Sequence, residues 1–158
     1  MIKTEVAVLL HNIRSIHNVG SIFRTADALG VRKIYLSGYT PAPTDRFGQV
    51  RKDIAKVALG AEKIIPWEQV DNPVSLIKKL KSNKFQIIAL EQAKNSVDYR
   101  KIKIKYPVLF VVGNEVSGIE TKILSLCHII AEIQMKGKKE SLNVSVAFGV
   151  ASFRMFNI

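Results

Sequence analysis

The chain is nearly free of cysteine: Cys127 is the only one in 158 residues. That rules out an intramolecular disulfide framework and fits a reducing compartment. No apolar run approaches the roughly 20 residues of a membrane-crossing helix. The opening segment, "MIKTEVAVLLHNIRS", has a short apolar run. Polar residues follow it too soon for an export signal, so it reads as a first strand in a cytoplasmic protein. Acidic residues are also scarce. There are 13 Asp and Glu against 24 Lys and Arg, a formal net charge of +11. Such an excess attracts polyanions, nucleic acid above all.

Several site chemistries are missing too. His11, His17 and His128 have no ligand spacing, and the one thiol has no partner, so no metal site is expected. A dinucleotide fingerprint needs G-x-G-x-x-G, but "HNVGSIFRT" has one glycine and "VVGNEVSG" has two at the wrong spacing. "GNEVSGIE" has the glycine spacing of a phosphate-binding loop, yet Ile119 and Glu120 replace its Lys and hydroxyl. No G-x-S-x-G elbow exists.

What the chain does have is alternation. Short apolar runs predict strands at Val6–Leu10, Lys33–Gly38, Lys63–Trp67, Phe85–Leu90, Pro107–Val112 and His128–Ile133. "PVLFVV" is apolar throughout, as in a strand covered on both faces of a parallel sheet. Between these runs lie helical patterns. Asn18–Leu29 puts Ile22, Phe23, Ala26 and Leu29 on one face, with Asn18 as N-cap and Gly30 at its end. A short basic helix is expected over Val50–Leu59. Asn72-Pro73 opens another at "VSLIKKLKS", Ser117 and Glu120 have capping-box spacing before "IETKILSLC", and a last helix spans about Leu142 to Phe156. The stretch "EQAKNSVDYRKIKIK" reads as a polar connection. The whole predicts one α/β domain over 1–158, a mainly parallel sheet with helices on both faces. Ligands of such sheets sit at the carboxyl ends of strands.

Three segments lie at such ends: "NVGSIFRTA", "VVGNEVSGI" and "IQMKGKKESLNVSVA". Together they resemble the three signature motifs of the SpoU/TrmH family of RNA ribose 2′-O-methyltransferases, in the SPOUT superfamily. Asn18, Gly20, Arg24, Thr25 and Ala26 match the first motif, and Gly113, Glu115 and Gly118 match the second. Ile133, Met135, Gly137, Ser141, Leu142, Asn143, Val144, Ser145 and Ala147 match the third. Gln134 departs from the family's proline, which leaves the path of its loop open.

The resemblance implies a C-terminal trefoil knot, S-adenosylmethionine as cofactor, RNA (tRNA or rRNA) as substrate, and a homodimer with the active site near the subunit interface. Many family members read RNA with appended domains. Here about four residues precede the first expected strand and the last expected helix runs to the end, so no appended RNA-binding domain is expected, a second departure from the family pattern. The catalytic set the resemblance implies is Arg24, Asn18, Glu115, Ser141 and Asn143. Arg24 would clamp a phosphate and stabilise the developing alkoxide, because a guanidinium stays protonated. Glu115 would fix Arg24 or contact RNA. Leu90, Gly113, Ile133, Met135 and Leu142 would hold the cofactor, with Gly113 allowing close backbone approach. Arg46, Arg51, Lys52, Lys136, Lys138 and Lys139 suit RNA phosphates. The alternatives are an RNA-binding module of the same fold without catalytic activity and, disfavoured by the glycines, a dinucleotide-dependent oxidoreductase.

Overall fold

The computed structural model describes residues 5–158. Among them, seven strands form one sheet in which every pairing is parallel. The strands are β1 (Val6–His11), β2 (Lys33–Ser37), β3 (Trp67–Val70), β4 (Gln86–Leu90), β5 (Val97–Asp98), β6 (Val108–Val112) and β7 (Ile129–Glu132). Their spatial order is β3-β2-β1-β6-β4-β7-β5. The helices are α1 (Ile16–Ala28), α2 (Lys52–Ala58), α3 (Ala61–Ile64), α4 (Pro73–Ser82), α5 (Thr121–Leu124) and α6 (Val144–Met155).

Strand side chains alternate between two cores, as the pleat requires. Val6, Val8 and Leu10 of β1, with Val108, Phe110 and Val112 of β6, face one core. Ile22 and Phe23 of α1, Ile54 of α2 and Phe148 of α6 complete it. Ala7, Leu9, Leu109 and Val111 face the other, closed by Ile77 and Leu80 of α4 and Ile123 of α5. All five residues of β6 are buried, which explains the unbroken apolar run in its sequence.

Four local expectations need correction. The run Lys63–Trp67 is not a strand. Lys63 and Ile64 end α3, Pro66 has no N–H for a ladder, and pairing begins where Trp67 meets Ile34. The polar connection after β4 contains β5, a two-residue edge strand too short to show a period, and a 3-10 turn at Tyr99–Lys101. Helix α1 starts earlier than expected. Ser15 is its N-cap, accepting from the Asn18 N–H, which leaves the Asn18 side chain free for another task. At α5 no capping box forms. Glu120 is itself the cap residue, and Ser117 belongs to a turn whose N–H donates to Asn114 Oδ1 at 2.8 Å. By contrast, Asn72 caps α4 with Pro73 just inside, and Gly30 follows α1 at φ +69.

Candidate active site

The carboxyl ends of β6, β4 and β7 are neighbours in the sheet, and the loops leaving them enclose a cavity of about 400 Å³. That is within the range of small-molecule sites. All five residues expected to hold a cofactor line it: Leu90 at the end of β4, Gly113 after β6, and Ile133, Met135 and Leu142 on the segment between β7 and α6. Four glutamates, Glu91, Glu115, Glu132 and Glu140, are also among its lining residues, and no Lys or Arg is. In a strongly basic chain this gives the cavity a locally acidic lining.

Gly113, on the cavity wall, also meets a packing demand of its own. A Cβ there would meet the Gly118 carbonyl at 2.9 Å and collide with the Ile119 side chain. The absence of a side chain lets the loop close on itself here. Glu91 holds the same loop from below, its Oε2 accepting from the Ile119 N–H at 2.9 Å. Next to it, Gln92 Nε2 donates to the Glu140 carbonyl at 2.8 Å, tying the β4 end to the loop before α6.

A second, wider cavity of about 620 Å³ adjoins the first. Arg14, Ser15, Asn18, Ser141 and Asn143 line it, and Glu115, Val116, Ser141, Leu142 and Val144 line both. Here the three sequence motifs meet through side chains. Asn18 Nδ2 donates to Glu115 Oε1 at 3.0 Å, and Asn143 Nδ2 donates to Asn18 Oδ1 at 3.2 Å. Asn143 Oδ1 caps α6, accepting from the Ser145 N–H at 2.9 Å and the Ser145 hydroxyl at 2.6 Å. Glu115 also accepts from the N–H groups of Arg14 and Ser15, each at 3.1 Å. Burial works against ionisation of Glu115, but these hydrogen bonds outweigh it and hold the carboxyl below its ordinary range.

Not every expected residue joins this cluster. Arg24 lies exposed on α1 and lines neither cavity. Six residues beyond Asn18, it sits about 9 Å along the helix and about 120° round it. Within one protomer Glu115 therefore fixes the Arg14–Ser15 turn and Asn18, and Arg24 lies apart from it. Ser141 lies on the cavity wall, two residues before the cap. Lys136, Lys138 and Lys139 are exposed on the loop between β7 and α6, outside both cavities. Lys52 is exposed at the start of α2, while Arg51 is paired with Asp53 at 3.2 Å.

Some of the site is not foreseen from the sequence. Asn114 is a hub: its Oδ1 accepts from the Val116 and Ser117 N–H groups, both at 2.8 Å. Its Nδ2 donates to the Asn12 carbonyl at 2.9 Å and the Tyr39 hydroxyl at 2.7 Å. Its place between Gly113 and Glu115 was the available signal, as was the position of Glu91 just past a strand end. Among the described residues no three His, Cys, Asp or Glu side chains gather into a metal-binding group, and no helix is long and apolar enough to cross a membrane.

The model of the SpoU rRNA Methylase family matches residues 5–153. The chain belongs to that family. It is 36% identical over 148 residues to a tRNA (guanosine(18)-2′-O)-methyltransferase of Aquifex aeolicus, covering 94% of this chain and 67% of that protein. A TrmH-family protein of Staphylococcus saprophyticus is 34% identical over 98% of the chain and 59% of its own length. In three dimensions the chain is similar to an AdoMet-bound rRNA methyltransferase of Sinorhizobium meliloti, with a TM-score of 0.87 and 30% identity over 97% of this chain and 56% of that one. It also matches an A. aeolicus TrmH/SpoU tRNA modifying enzyme, with a TM-score of 0.85 and 31% identity over 98% and 75% of the two chains. The SpoU chain thus spans little more than half to three-quarters of these relatives.

Proposed function

We propose that the chain is an S-adenosylmethionine-dependent methyltransferase acting on a ribose 2′-hydroxyl of tRNA or rRNA, working as a homodimer. The observation that carries this reading is the hydrogen-bonded series Glu115–Asn18–Asn143. It joins residues from all three motifs at the wall shared by a small cavity and a wider one. The smaller cavity suits the cofactor on chemical grounds. Leu90, Ile133, Met135 and Leu142 offer apolar walls to adenine, and the four glutamates favour a molecule that carries a sulfonium cation. An AdoMet-bound relative with the same fold supports the assignment. The knotted threading of the segment after β7 belongs to the same proposal.

When bound, the cofactor supplies a methyl group whose leaving group is a neutral thioether. The chain's own work is then alignment of the ribose oxygen and help with its proton. Positioning of this kind is worth at most about 7–11 kcal/mol. Asn18 and Asn143 hold a fixed hydrogen-bonding surface where the ribose would arrive, and Glu115 fixes the turn beside them. Ser141 faces the same space.

Arg24 enters through the second protomer. Its neighbour Thr25 packs against Gly149 of α6, and Arg24 is exposed on α1, the helix that α6 packs against. Leu142, Val146, Val150 and Phe153 recur at helical spacing and are all exposed. A second copy covering this stripe would bring each Arg24 toward the other protomer's wide cavity. There its guanidinium would hold a phosphate and stabilise the alkoxide.

Comparing maps of 2′-O-methylation in RNA from wild-type and deletion cells tests the function and finds the substrate. Loss of one or more sites on deletion, restored by the wild-type gene but not by an Arg24→Ala gene, is expected. Identical maps would leave an RNA-binding module as the better reading.

A further inference from the structure

Phe47 is 74% exposed at the tip of the connection between β2 and α2. The tip is well ordered by its own hydrogen bonds. The Asp45 carboxylate accepts from the N–H groups of Phe47 at 2.8 Å and Gln49 at 3.0 Å. The Asp45 N–H donates to the Gln49 carbonyl at 2.9 Å, and Thr44 and Val50 form an antiparallel bridge below. Gly48, at φ +77, supplies the left-handed residue that so tight a turn requires. The backbone that carries the ring is therefore held in one place, which lowers the entropic cost of binding through it.

The surroundings of the ring are cationic. The Arg46 guanidinium lies over it, 4.8 Å from the centroid, and Lys52 is exposed where α2 begins. The other end of the same connection reaches the site. Tyr39 is exposed, and its hydroxyl accepts from Asn114, which lines the smaller cavity. One connection thus carries two exposed aromatic rings and the Arg46 guanidinium from the cavity outward, with Lys52 just beyond its end.

We propose that Phe47, backed by Arg46, is a stacking platform for an unpaired base of the RNA substrate. The proposal rests on the RNA-directed reading above. Aromatic faces beside cations are how proteins hold splayed-out bases, because every base has a π-face and every nucleotide brings a phosphate. The chain's net charge of +11 favours a polyanionic occupant over an uncharged protein surface. Arg46 contributes stacking and charge together, which a lysine could not do.

The test is equilibrium binding of the full chain to a stem-loop RNA carrying 2-aminopurine at an unpaired loop position, with bulk tRNA as a second probe. Wild-type protein should quench the 2-aminopurine and bind both RNAs. Phe47→Leu keeps an apolar side chain without a π-face. It should weaken binding by about 5- to 100-fold and abolish the quench, whereas Phe47→Trp retains both. S-Adenosylmethionine affinity by calorimetry and the oligomeric state by sedimentation should stay unchanged in Phe47→Leu. RNA affinity equal to wild type in Phe47→Leu overturns the platform, as does wild-type protein that binds neither RNA. A change of oligomeric state in Phe47→Leu assigns the ring to a contact between copies and also overturns it. The two readings fail separately. Phe47-dependent binding without methyl transfer keeps the platform and removes the methyltransferase. Methyl transfer with Phe47-independent binding does the reverse.

Discussion

Glu115 accepts three hydrogen bonds, all from uncharged donors. These bonds favour its ionised form and keep its carboxyl below the ordinary range. The sign of the pH dependence follows. A depressed folded-state pKa adds stability that is present above the unfolded value and lost as pH falls through the folded one. Glu115→Gln should therefore be less stable than wild type at neutral pH, and the gap should close as pH drops through the carboxylate range. Urea midpoints measured against pH check this, and a gap independent of pH would contradict it. Arg24 sits at the opposite extreme, exposed and outside both cavities. Arg24→Ala should leave S-adenosylmethionine binding nearly unchanged by calorimetry while methyl transfer falls by about 10²–10³-fold, the usual cost of removing one group that stabilises developing charge.

At the level of elements, α6 has two roles. Its N-terminus is capped by Asn143, which also bonds Asn18, and its outer face carries the exposed stripe Val146, Val150 and Phe153. A charge in that stripe would be desolvated in a dimer and solvated in a monomer. Val150→Asp should therefore yield a monomer by sedimentation, with methyl transfer lost. If Arg24 acts across the interface, mixing Arg24→Ala with Asn143→Ala should restore activity that neither variant has alone, because mixed dimers then hold one intact site. No recovery after confirmed subunit exchange would place Arg24 in its own protomer's site.

The carboxyl ends of β6, β4 and β7 illustrate what the sequence discloses and what it hides. Their apolar runs and the turn residues beside them were legible, and so was the parallel sheet; the five cofactor candidates that the family resemblance supplied all lie among the residues lining the cavity. The side-chain series across three loops was not legible. Glu115 and Asn18 are 97 positions apart, and Asn143 and Asn18 are 125 apart. No local pattern encodes such pairs. β5 is hidden for a different reason: two residues at a sheet edge carry no period. Asn18 reads as a cap because asparagine is good at both tasks, and Ser15 was available to do the capping.

For the molecule as a whole, the charge is segregated. The small cavity has glutamates among its lining residues, whereas Lys136, Lys138 and Lys139 stand outside it on the loop that closes it. Removing these three charges together should leave the cofactor affinity intact. It should also lower the slope of log affinity for RNA against log salt by about 0.7–0.9 for each phosphate that is no longer neutralised. An unchanged slope would place the RNA on another face.

The most direct measurement is methyl transfer itself. The purified chain is incubated with methyl-labelled S-adenosylmethionine and RNA from deletion cells, and the RNA is digested to nucleosides. The SpoU fold and the Glu115–Asn18–Asn143 series predict label in 2′-O-methylnucleosides, dependent on Asn18 and Asn143. Label on a base, or no label with RNA and cofactor both bound, would contradict a ribose methyltransferase.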